Sequence, residues 1–425
     1  MAHGRAARGD READLMAVAD REGWRAFGYG GLSALSGRAI QVVPGPFAPL
    51  IRPRVEGMHA PFVGVTTDGT LRRGLRSLDA TVKVDTAPIA DAALTFLGAL
   101  SAEQRSKACL AMDAPEWRTW TNVHVAFWRH GVLLDDLPPA TRDLALGVLR
   151  ATLSARGYGY ALGIMELNEL VAQLKDDHDS YGQWLYFLSI YGDPGSSEPW
   201  GWQIDGHHLC IATVVFDGRI VTTPTFMGSE PRSIGDRSWF DLEEEAGLLL
   251  MRSLTDEQRT KAIIHSSITK ADMPDPELQN PFDGRQVGGM GNDNRVVPYQ
   301  GLVASDLSDA QRRLLLDVAR AYTGWNADDH AAASTREIES HLDETWFSWY
   351  GGYGETDAFY YRVHSPVTLI EFDHHDGVVF DNIDPSRHHI HMLVRTPNGG
   401  DYGRDLLAEH HQRFDHTGGK HAARS

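Results

Sequence analysis

Four segments of this chain recur in the same order, and such a recurrence restricts the fold more than any other property of the sequence. Leu94–Arg105 reads LTFLGALSAEQR and Leu248–Arg259 reads LLLMRSLTDEQR. Both put an apolar helix before a Leu-Ser/Thr-x-Glu-Gln-Arg start signal, with Ser101 and Thr255 as N-caps of the next helix. Asp136–Ala151 (DLPPATRDLALGVLRA) is matched by Asp306–Ala321 (DLSDAQRRLLLDVARA), and Leu315, Val318, Ala319 and Tyr322 fall at helical spacing there. The third match pairs Trp184–Asp193 (WLYFLSIYGD) with Trp346–Glu355 (WFSWYGGYGE) and continues as WGWQIDGHHLCI at 200–211 against FYYRVHSPVTLI at 359–370. Thr223-Pro224 is echoed by Thr396-Pro397.

Each half reads helix, helix, long loop, helix, helix, β-hairpin. The second half closes in strands near Val367–Asp373 and His389–Arg395, rich in β-branched and apolar residues. The expected fold is α+β and internally duplicated, two helix-helix-hairpin halves about a pseudo-two-fold axis. Residues 91–240 and 241–415 form the halves, 1–90 a loop-rich N-terminal segment and 416–425 a disordered tail.

With 425 residues, 42% of them hydrophobic, the chain can bury a large core without staples. Acidic residues outnumber basic ones 58 to 40, which argues against nucleic acid and against an anionic membrane surface. The two cysteines, Cys109 and Cys210, form no CxxC motif, so a disulfide scaffold is excluded and a reducing compartment expected. Met1–Glu22 lacks the apolar core of a signal peptide, and no stretch is apolar enough to span a membrane. The expectation is a soluble cytoplasmic protein acting on a small-molecule substrate, with neither nucleic acid nor membrane as partner. The oligomeric state is left open.

Twenty histidines are spread along the chain, densely in the hairpins. His207 and His208 head the first hairpin; His374 and His375 end one strand of the second; His388, His389 and His391 open its return strand; His410 and His411 follow. Side chains at i and i+2 of a strand share a face, so His389 and His391 can point at one ion, and Glu371 and Asp373 share a face in the same way. Two imidazoles and a carboxylate make a set for Zn²⁺ or for a 2-His-1-carboxylate Fe²⁺ site. Aligning Trp200 with Phe359 sets His208 opposite Val367, on the strand parity of Glu371 and Asp373, so a site between the halves gains His207 or His208 within about 10 Å of His391. Trp200, Trp202 and Gln203 are candidates for a pocket wall, the turn-rich loop Thr222–Pro231 for ligand contacts, and Arg395 for holding a substrate carboxylate. A structural role for these histidines and tryptophans is the alternative. Walker A, GxGxxG, GxSxG and HExxH motifs are absent.

The segments PFVGVTTDG (61–69), EWRTWTN (116–122), PWGWQIDGHHL (199–209), TPTFMGSEP (223–231), FYYRVHSPVTLIEFDHH (359–375) and HIHMLVRTPNGGDYGRDLL (389–407) resemble a family catalogued as domain of unknown function 3500. The resemblance runs over nearly the whole chain. It implies that Gly206–His208, Glu371–Asp373 and His389–His391 are signature residues, and it carries no settled activity.

Three readings compete. One is a hydrolase in which a divalent metal, zinc or iron, held by His207, His208, His389 and His391 activates water while Glu371 or Asp373 serves as base. The second is a non-haem metal oxidoreductase with the same ligands. The third is a non-catalytic small-molecule-binding protein.

Overall fold

Side-chain capping fixes several helix starts. Helix α1 (Ala87–Ala99) is followed by α2 (Ala102–Ala108), where Ser101 and Gln104 form a reciprocal capping box. Helices α3 (Pro139–Thr152) and α4 (Ala155–Lys175) follow, the second capped by Ser154. In α5 (Asp241–Ser253) and α6 (Asp256–Ala262) the box recurs at Thr255 and Gln258, and in α7 (Asp309–Thr323) at Ser308 and Gln311. Helix α8 (Asp328–Ser340) and the late α9 (Arg404–Arg413) complete the set used below. The structure is a computed structural model describing residues 54, 56–123, 130–178, 180–269, 271–273, 284–377, 379–380, 382–415 and 422–423.

Among the described residues, thirteen strands form one sheet. In chain order they are β1 (Cys109–Leu110), β2 (Val132–Leu133), β3 (Tyr186–Tyr191), β4 (Trp200–Gly206), β5 (Leu209–Phe216), β6 (Arg219–Val221) and β7 (Thr225–Ser229), then β8 (Ile263–His265), β9 (Leu302–Val303), β10 (Trp346–Gly351), β11 (Phe359–His364), β12 (Leu369–His374) and β13 (Ile390–Arg395). The spatial order is β1-β3-β4-β5-β7-β13-β12-β11-β10-β8, with β2, β6 and β9 paired to β3, β5 and β10. All pairs are antiparallel except the outermost two, β1–β3 and β8–β10. The architecture is mixed α+β built on one large mixed sheet.

Register decides which residues share a face. Trp202, Ile211, Met227, Phe372, Ile390 and Met392 point to the helices and form the main core with residues such as Phe96, Leu149, Leu250 and Leu315. The opposite face carries Gln203, Asp205, Phe226, Glu371, Asp373, His391 and Arg395, in register across β4, β5, β7, β13 and β12. Loops and α9 cover it, with Trp117, Tyr402 and Leu406 packed on Val214 and Phe216.

The second-half strands begin at Leu369 and Ile390, slightly later than the pattern indicates. Helix α1 starts at Ala87, inside the segment expected to be loop-rich, most of which lies outside the described residues. The expected tail also lies largely outside them, except that Phe414–Asp415 pairs with Ala422–Ala423. No described helix is long and apolar enough to cross a membrane, and both cysteines are free thiols.

Candidate metal centre

Three imidazoles meet where the central strands β7 and β13 run beside the β4–β5 turn. His391 lies on β13, directly across from Gly228 on β7 and Asp373 on β12. His389 immediately precedes β13. His208 arrives from the two-residue turn that closes β4 onto β5. It holds φ at +61°, the left-handed region a non-glycine residue adopts at a cost of about 1–3 kcal/mol. Two backbone bonds clamp it there: His208 N–H donates to the Asn122 carbonyl at 3.0 Å, and Gly228 N–H donates to the His208 carbonyl at 2.8 Å.

The Nε2 atoms form a near-equilateral triangle, 2.9 Å from His389 to His391 and 3.1 Å from His208 to each of them. Hydrogen bonding cannot satisfy such a triangle. Each Nε2 is either a donor or an acceptor, and three mutually contacting atoms cannot alternate. In every tautomer at least one contact opposes two lone pairs or two N–H groups. His389 narrows the choice, because its Nδ1 lies 2.6 Å from the Asp376 carbonyl and must donate there, leaving Nε2 bare. A cation shared by three bare nitrogens removes the conflict. Three nitrogens about 3 Å apart can all reach one ion at the usual bonding distance of about 2.0–2.1 Å. Among the described residues this is the one group of three His, Cys, Asp or Glu side chains arranged to hold a metal.

The surroundings suit neutral ligands. Burial holds the His391 pKa well below the ordinary imidazole range, with His375, His389, His208 and His207 adding to the effect. Burial also lowers His389, opposed by the Glu230 carboxylate. Glu230 sits 3.4 Å behind His389 Nδ1 and accepts N–H bonds from Val379 and Phe380, so it ties the loop after β12 to the back of the ligand. Outer partners of this kind orient a ligating imidazole.

The other expected site residues are placed elsewhere. His207 stacks on His208 at 3.9 Å, but its Nδ1 bonds Asn168 Oδ1 at 2.7 Å and it stands outside the triangle. Asp373 faces the right way yet is bound to Arg285, whose Nε donates to Oδ1 at 2.6 Å. Glu371 accepts from the Val287 and Gly288 N–H groups and from the Tyr360 hydroxyl. Both carboxylates therefore anchor the covering segment that contains Arg285, Val287 and Gly288. Arg395 commits four of its five N–H donors to Asp293, Asp401 and the Gly288 and Gly289 carbonyls, and the side chain is fully buried, so it is held as a structural ion pair rather than presented to a substrate. Trp200 and Trp202 belong to the helix-side core, with Trp202 Nε1 bonded to Thr152. Gln203 faces the loops but bonds Tyr191, His130 and the Trp117 carbonyl.

His374 points to the helix side and meets Glu244, His388 and His411 are exposed, and His410 packs between Phe216 and Phe414. His375 packs against His389 and His391, with ring centroids 4.9 and 4.6 Å away. Two further contributors, Gly228 and Glu230, fall in the segment Thr222–Pro231 expected to be a ligand-contacting loop, but Thr225–Ser229 is a strand and sequence reading singles out neither residue. The one available signal is their place in the Gly-Ser-Glu-Pro run that ends β7.

A family model described as Protein of unknown function (DUF3500) matches residues 82–404. The chain belongs to that family. His208, His389 and His391 all fall within the stretch the DUF3500 model covers. No curated protein and no solved structure matches the chain.

Proposed function

We propose that this protein is a metal-dependent hydrolase of a small molecule, in which His208, His389 and His391 hold a divalent ion. The supporting observation is the Nε2 triangle, with edges of 2.9–3.1 Å and no consistent hydrogen-bond assignment. The ion, when bound, lowers the pKa of a water on it and so supplies a nucleophile at neutral pH. The protein's part is to keep three neutral imidazoles converged in a buried setting. An all-histidine set favours zinc hydrolysis over iron oxygenase chemistry, because the carboxylate of a 2-His-1-carboxylate site is missing from the cluster. Glu371 and Asp373, bonded to the covering segment, are not proposed as the base.

The same reading takes the sheet as two copies of one unit, meeting at β7 and β13 about a pseudo-two-fold axis. The strand order supports it: β3-β4-β5-β7 runs to the centre from one side and β10-β11-β12-β13 from the other. The two free thiols favour a cytoplasmic location.

The test is elemental analysis of untagged protein, followed by a screen of ester, amide and phosphoester substrates with and without the ion. About one equivalent of zinc is expected, with both ion and turnover lost in His391→Ala. A folded wild-type protein that takes up no divalent metal overturns the proposal.

A further inference from the structure

A cavity lies on the other side of the central strands where the three imidazoles meet. It measures about 360 Å³ and opens among the β6–β7 connection, the end of α7, helix α8 and the segment near Arg76. Met227, Ile370 and Val394 form its floor, and these are helix-side residues of β7, β12 and β13. His391 and Gly228 occupy the opposite face, so the thickness of the sheet separates this cavity from the three imidazoles.

The lining divides into two kinds of surface. One is polar, with the hydroxyls of Thr222, Thr223, Thr225, Thr323, Thr368 and Thr396 beside Asn326 and His330. Thr223 bonds Thr396, Thr323 bonds Thr335 and Thr225 donates to the Thr222 carbonyl, so these four offer a ligand mainly their remaining acceptor capacity. Thr222 Oγ1, Asn326 Oδ1 and His330 Nδ1 are buried. Buried polar atoms normally have a partner, and these three have none among the described residues. The other surface is carbon. Tyr322 and Trp325 line the cavity, yet the Tyr322 hydroxyl is bonded to Tyr361 and Trp325 Nε1 to Glu243. Only their rings are left to offer, beside the aliphatic floor.

Charge narrows the ligand. Of the two arginines in the lining, Arg76 is matched by Glu337 at 2.6 Å and Asp405 at 3.2 Å, and Arg336 is exposed, its charge open to solvent, so the buried part of the cavity brings no uncompensated positive charge. An adjoining hollow shares Val84, Ile220 and His330 and carries Asp85, Asp328 and Asp329, an acidic approach that repels anions. His330 stays neutral, since burial and Arg76 push its pKa down to about 4.

We propose that this cavity is a binding site for a small uncharged polyhydroxylated molecule of about monosaccharide size, with the threonine hydroxyls, Asn326 and His330 reading its hydroxyls and Trp325 and Tyr322 packing on its C–H face. The volume falls at the small end of the range typical of ligand pockets, about 300–1,000 Å³. The inference does not depend on the metal reading.

The test is titration of full-length protein with glucose, myo-inositol and glycerol, followed by calorimetry and by saturation-transfer NMR. Saturable binding of at least one probe is expected. Thr222→Val keeps shape while removing the hydroxyl, and it should weaken binding roughly tenfold, the equivalent of one lost hydrogen bond. His330→Phe should weaken it at least as much, and His391→Ala should leave it unchanged. The proposal fails if the wild type binds none of the probes, if Thr222→Val and His330→Phe bind like the wild type, or if binding disappears only with His391→Ala.

Discussion

Gly228 faces His391 directly across β7 and β13, and a β-carbon at that position would lie 3.1 Å from His391 Cδ2. The same carbon would stand 3.3 Å from His208 Cδ2 and 2.7 Å from the Ile390 carbonyl oxygen. The bare glycine is what allows two imidazoles from opposite halves of the sequence to approach over one strand.

Gly228→Ala is therefore expected to fold but to hold metal weakly. The backbone contact has to relax, and the imidazoles move apart with it. A loss of affinity of about 10–100-fold is expected, the scale seen when the support of a ligand is disturbed. Competition against a chromophoric chelator measures it, and wild-type affinity in the alanine variant would count against the assembled triangle.

Glu230→Ala removes the acceptor behind His389 Nδ1 and frees the N–H groups of Val379 and Phe380. Metal affinity should drop by about 10–100-fold, with the Asp376 carbonyl still holding the ring. The same chelator competition decides it. No change would mean that the Asp376 contact alone orients the ligand.

Asp373→Ala should separate stability from metal binding. It strands the fully buried Arg285 guanidinium, and breaking a buried pair by removing one partner costs about 3–5 kcal/mol. The urea midpoint should fall markedly while the folded variant keeps its ion. If the folded variant emerges metal-free, Asp373 supports the centre after all.

His364 supplies a pH signature away from the metal. Both its ring nitrogens lack a partner among the described residues, and burial together with Arg362 pushes its pKa down to about 3. The unfolded chain takes up the proton near pH 6.5, the folded protein only near the lower value. Stability is thus unaffected above about pH 6.5 and declines as pH falls through the window toward 3, by about 1.4 kcal/mol per pH unit for this one group. Denaturation curves from pH 6 to 4 should show that slope reduced in His364→Phe. An identical slope in variant and wild type would mean that the folded protein binds the proton as readily as the unfolded chain.

Period-two alternation was enough to put His389 and His391 together, and the Leu-Ser/Thr-x-Glu-Gln-Arg signal was enough to start α2 and α6. These are local relations, settled by backbone geometry over a few residues. His208 was a candidate for the same ion because the recurring segments pointed to a meeting of halves, and its Nε2 lies 3.1 Å from both partners. What alternation could not tell is what covers a face. Glu371 and Asp373 were legible as neighbours on one side of β12, yet Arg285, Val287 and Gly288, more than eighty residues earlier, claim them. Arg395 likewise is paired with Asp293 and Asp401, and Trp200 and Trp202 pack among helices. A buried charge or polar atom must find a partner wherever the fold brings one, because the interior offers no water in its place. Sequence by itself therefore determined which side chains could converge, and only the tertiary structure decided which of them were left unclaimed to hold an ion.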